Sequence, residues 1–74
     1  MASFQEAFGA VVRQRRHKLG LSQEDFAEQA GIHRTYVSKI EAGKVDVGLE
    51  VACRIARALR VRFSRIIQEA EDAS

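Results

Sequence analysis

Apolar positions recur at helical spacing along nearly the whole chain. Phe4, Phe8, Val11, Val12 and Leu19 share one side of a helix expected over residues 4–19, and Gly20 is placed to end it in the left-handed conformation. Ser22 then opens a second helix over residues 23–30. Its start is well signed: Ser22 can cap, Asp25 sits in capping-box position, and Leu21 with Phe26 forms a hydrophobic staple. Gly31 breaks this helix and the staple repeats, with His33 as cap between Ile32 and Val37, so a third helix follows to about residue 42, before Gly43. Ala52, Ile55, Ala56 and Leu59 follow the i, i+3, i+4, i+7 stripe of a fourth helix over residues 49–59. A short fifth helix over residues 64–70 presents Phe63, Ile66 and Ile67. Glu69, Glu71 and Asp72 oppose its dipole, so its end is expected to fray.

The pattern predicts an all-α, compact five-helix domain spanning residues 1–74, with a helix-turn-helix motif over residues 22–42. A chain of 74 residues has room for a single core, built here on Phe8, Val12, Phe26, Val37, Ile40, Ile55 and Leu59. So small a core leaves apolar surface over, and the segment around residues 61–70 is the expected dimerisation region, with Phe63, Ile66 and Ile67 at the interface. No run approaches the roughly 18 apolar residues of a membrane span, so no membrane association and a cytoplasmic location are expected. Cys53 is the only cysteine and there are two histidines, so neither an internal disulfide nor a metal site is expected. No nucleophile, base and orienting acid form a catalytic constellation, so the chain is read as no enzyme and as needing no cofactor.

The net charge of +2 is modest, but its distribution is uneven. Residues 13–18, RQRRHK, carry four cationic side chains and no acid, and residues 54–65 hold five arginines and no acid, whereas acids gather at 24–28 and 69–72. Arg13, Arg15, Lys18, Arg54 and Arg57 suit a polyanion or a solvated surface equally. The third helix is more selective. At 100° per residue, Arg34, Thr35, Ser38 and Lys39 fall within roughly 140° of arc, while Tyr36, Val37 and Ile40 turn toward the core. That arc has no acid, and every side chain in it can donate to a phosphate or a base edge.

Two helices joined by a glycine turn, the second with such a face, form the arrangement whose second helix enters the DNA major groove. SQEDFAEQAGIHRTYVSKIEAGK resembles the helix-turn-helix of the lambda-repressor and Cro-like (XRE-type) family, and HRTYVSKIEAGK is especially similar to restriction-modification controller proteins, which are small homodimeric transcription regulators. The likeness covers about residues 8–67. It implies a homodimer on double-stranded DNA with a palindromic operator, autoregulated, with Arg34, Thr35 and Lys39 facing bases. It also implies that Gln23, at the start of the second helix, touches the phosphate backbone, and that His33, Tyr36, Ser38 and Lys44 give supporting or phosphate contacts. An arginine late in the first helix often pairs in this family with the glutamate ending the third, here Arg16 and Glu41. Glu41 independently falls at the border of the buried face, where an unpaired charge would be costly. The chain departs from the family after Lys44, where KVDVG replaces a basic residue followed by Asn-Pro-Ser/Thr. Asp46 would repel a phosphate, and Gly48 caps more weakly than serine.

The rival reading is an antitoxin whose helix-turn-helix binds DNA while its remaining surface holds a toxin. A module that binds only protein would instead show an apolar or acidic face on the third helix. RNA polymerase is a further partner for a regulator of this kind. The five helices leave no expected segment for sensing a metabolite, so regulation is expected to follow concentration or a partner.

Overall fold

The computed structural model describes residues 2–74, which form α1 (Phe4–Lys18), α2 (Gln23–Ala30), α3 (Arg34–Glu41), α4 (Leu49–Ala58) and α5 (Phe63–Ala73). Met1, inside the expected domain, lies outside the described residues. The helix starts follow the chemistry of their caps. Ser22 Oγ accepts from the Asp25 amide at 3.0 Å, and His33 Nδ1 accepts from the Thr35 amide at 3.3 Å. The complete capping box, however, sits at α1, where Ser3 Oγ accepts from the Glu6 amide and Glu6 Oε1 from the Ser3 amide. These bonds hold the Glu6 carboxyl below its ordinary range, the Ser3 amide contributing most and its hydroxyl next. Gly20 and Gly31 take left-handed φ values of 70° and 69° at the two turns flanking α2. Arg60 takes the same conformation after α4, with φ 61°, although it is not glycine.

The seven expected core residues are all buried, and Val12, Phe26, Val37 and Ile55 have no exposed surface. Around them α1 packs against α3 and α5, α2 packs against α3 and α4, and α4 meets α5 to close the bundle. α1 approaches α3 closely because residue 9 is glycine. A Cβ there would run into the Ile40 carbonyl oxygen and lie 2.9 Å from that of Glu41, both backbone atoms that cannot swing away. Gly43, with φ 71°, is needed twice over, since a Cβ would also lie 2.7 Å from Glu6 Cα.

Two expectations about α5 need correction. Its end does not fray but stays helical to Ala73, because Ala70 is fully buried and Glu69 is engaged by Arg15 of α1 and Arg65 of its own helix. Ile66, expected at the interface with Phe63 and Ile67, has no exposed surface. It shares a stripe with Ala70 one turn on, which faces the core, so it belongs to the interior of the protomer.

The close approach at Gly9 can be tested against a glycine needed only for its φ. Gly9→Ala should lose about 2 kcal/mol or more of unfolding free energy in urea, because it overpacks a backbone contact. Gly20→Ala, which adds its methyl in open space, should lose only about 1 kcal/mol from left-handed strain. Equal midpoints for Gly9→Ala and the wild type would mean that α1 and α3 separate freely.

Candidate nucleic-acid interface

The turn at Gly31 sets α3 across α2, and the buried side of α3 then decides what its other side shows. With Val37 and Ile40 sunk in the core, Arg34, Thr35, Ser38 and Lys39 all stand exposed on the opposite arc. His33 is exposed at the head of this face. Its Nδ1 is occupied by the cap bond, which leaves Nε2 to face outward partners. Tyr36 is half-buried against the core at the edge of the arc. Lys44 is exposed just past the helix, its amide bonded back to the Lys39 carbonyl at 3.0 Å. Arg34, Lys39 and Lys44 pair with no acid among the described residues, so their charge is free for an external anion.

The C-terminal end of α3 is fixed by a buried network. Arg16 Nε lies 2.7 Å from Glu41 Oε2 and Arg16 Nη2 3.0 Å from Glu41 Oε1, a bidentate pair with side chains only 8% and 4% exposed. The remaining guanidinium nitrogen donates to the Leu21 carbonyl at 2.8 Å, so the charge is satisfied on every side. Nη2 also meets His17 Nε2 at 3.2 Å; since arginine can only donate, that histidine nitrogen accepts. Gln23 joins from α2, its amide donating to Glu41 Oε1 at 3.2 Å. One network thus brings α1, α2 and α3 to a single corner. Gln23 keeps its second amide hydrogen and its carbonyl oxygen for a ligand there.

The loop after Lys44 is organised differently from a phosphate-binding one. Asp46 accepts a hydrogen bond from Gln5 of α1, which ties the loop inward, and Gly48 gives α4 no side-chain cap. Beside it lies an apolar groove of about 230 Å³ whose walls include Phe4, Phe8, Val47, Leu49, Phe63 and Ile67. Leu49 is 76% exposed and Phe4 44%, so large apolar side chains stand open to solvent at this groove. The hydrophobic pattern placed Leu49 at the start of its helix but gave no sign of its exposure. It lies three residues before Ala52 and seven before Ala56, at the edge of the buried stripe, so helical spacing alone groups it with the core.

The helix-turn-helix family profile matches residues 12–66. Control protein C.BamHI of Bacillus amyloliquefaciens is 45% identical over 56 residues, 74% of this chain and 69% of its own. Among solved structures, the clp gene regulator ClgR from Corynebacterium glutamicum superposes with a TM-score of 0.92 at 26% identity, covering 97% of this chain and 77% of that one. The restriction-modification controller protein C.Esp1396I, solved as a tetramer in complex with its natural 35 base-pair operator, superposes with a TM-score of 0.81 at 25% identity. That match covers 96% of this chain and 99% of the other.

The buried network makes a sharp prediction about α3. Glu41→Ala strands the Arg16 guanidinium in the interior and should lower unfolding free energy by about 3–5 kcal/mol. A thermal melt that Glu41→Ala leaves unmoved would deny the pair any part in holding α3.

Proposed function

The chain belongs to the helix-turn-helix family of the lambda-repressor and Cro type and is a transcription regulator related to restriction-modification controller proteins, and we propose that it acts as a homodimer on a two-fold symmetric operator. The observation that carries this reading is the exposed, acid-free face of α3, held at its C-terminal end by the buried Arg16–Glu41 pair and capped at its start by His33. A rigid donor-rich helix suits the major groove, where Arg34 and Lys39 have the reach for guanine O6 and N7 and Thr35 offers a hydroxyl and a methyl to thymine. Gln23 at the head of α2, with His33, Tyr36, Ser38 and Lys44, sets the register on the phosphates.

The apolar groove supports the homodimer. Phe63 and Ile67 of α5 meet Phe4 and Leu49 there, and a two-fold pairing through that surface removes them from water while presenting two copies of α3 to the same side of a duplex. Such a regulator responds steeply to its own amount, because dimers accumulate as about the square of concentration while they are scarce. That property suits autoregulation of its own gene.

Selection of bound duplexes from a random pool tests the proposal: a two-fold symmetric consensus is expected, and the absence of any enriched sequence would overturn it. On the selected operator, Arg34→Ala should lose about 1–3 kcal/mol of discrimination at one base pair in each half-site, with little change on random DNA. Equal weakening on both would reassign Arg34 to a phosphate. Ile67→Asp should sediment as a folded monomer that binds a single half-site but has lost cooperative operator binding. A dimer of wild-type strength from that variant would move the seam off α5.

A further inference from the structure

Glu69 is gripped from two directions. Arg15 of α1 donates to it in bidentate fashion, Nε to Oε1 at 2.9 Å and Nη2 to Oε2, and Arg65, one turn earlier on α5, donates Nε to Oε2 at 3.3 Å. Arg15 is the largest influence drawing the Glu69 carboxyl below its ordinary range, and Arg65 adds to it. The family likeness assigned Arg16 but gave Arg15, its neighbour, no role.

The position of this clamp on the helix matters. At about 100° per residue, Phe63 and Ile67 lie on one flank of the buried stripe of Ile66 and Ala70, and Arg65 and Glu69 lie on the other. Ile66 and Ala70 fix how deep α5 sits, and the half-buried Phe63 and Ile67 pack against the same core on one flank only, so on the other flank the contact of Glu69 with Arg15 is what opposes rotation about the helix axis. A planar guanidinium fork on a carboxylate is directional, so it opposes that rotation. The magnitudes are large enough to matter. With side chains reaching about 5–6 Å from the axis, a roll of about 20° carries a seam residue about 2 Å. A two-fold pair doubles the displacement to about 4 Å, comparable with the roughly 3.4 Å rise of one base pair.

We propose that Glu69, acting through Arg15, is a positioning residue that sets the roll of α5 and thereby the half-site spacing the dimer accepts. This rests on the reading of α5 as part of the dimer seam. Arg65 supports the same carboxylate from the exposed side. The residue touches neither DNA nor the partner; it decides how far Phe63 and Ile67 stand toward the second copy.

The test pairs sedimentation equilibrium with binding to three duplexes: the selected operator, and the same half-sites moved one base pair apart or one closer. Glu69→Gln and Arg15→Gln should each weaken dimerisation about fivefold. They should also reduce the preference for the natural spacing about threefold or more, with single half-site affinity unchanged. The charge-swapped double variant, Arg15→Glu with Glu69→Arg, should recover both quantities in part. A merely stabilising contact would shift the melt and leave spacing preference intact, so wild-type spacing preference in Glu69→Gln, or loss of its fold, overturns the proposal. Ile67→Asp in the same experiment separates the two levels. If it is monomeric while Glu69→Gln behaves as wild type, only the clamp falls; if it remains dimeric, the α5 seam falls and the clamp's role with it.

Discussion

Everything the surface of α3 can do depends on the contact between α1 and α3. Gly9 lets the two backbones meet, and the Arg16–Glu41 pair locks their ends within a buried corner. A short helix exposed along one side is weak by itself, since helices of this length owe their order to packing and not to propensity. Here α3 has eight residues, and two of them, Val37 and Ile40, carry the hydrophobic anchorage. The ion pair adds direction to that anchorage. It gives no large net stability, because the desolvation of two charges offsets most of their attraction, but it penalises any arrangement that would leave one of them unpaired. Gln23 sits in the same network, so the head of α2 and the tail of α3 are placed relative to each other by one carboxylate.

Most of this architecture is legible in the chain, and the parts that are not share a cause. The caps at Ser22 and His33, the glycine turns and the buried stripe of α4 are local patterns read over three to seven residues, and they hold in the structure. The exposed arc of α3 follows from the same periodicity once Val37 and Ile40 are placed inside. Long-range pairings leave no such trace. Arg15 with Glu69, and Gln5 with Asp46, join residues 54 and 41 positions apart, and nothing local distinguishes those four side chains from solvated ones. For Arg16 with Glu41, helical periodicity showed that Glu41 needs a partner, and family likeness supplied which one. The mistaken end of α5 has the same origin: three acids against a helix dipole look destabilising until a distant arginine neutralises one of them. Ile66 was misplaced for a different reason, since three apolar residues in a five-residue stretch span more than one face, and the pattern alone does not say which turns inward.

Two successive arginines on α1 tie that helix to both α3 and α5. Neighbouring residues on a helix point about 100° apart, so Arg15 and Arg16 necessarily serve different partners. Arg16 turns to α3, the helix with the donor face, and Arg15 turns to α5, the helix beside the apolar groove. α1 is therefore a common mount, and the bidentate geometry at both residues makes it a stiff one. Since the α1 backbone is rigid between two adjacent positions, a displacement of α5 relative to α1 is also a displacement relative to α3. In the proposed dimer, the angle at which two copies meet through α5 would thereby be carried to the separation of their α3 helices with little slack, although α3 and α5 need not touch.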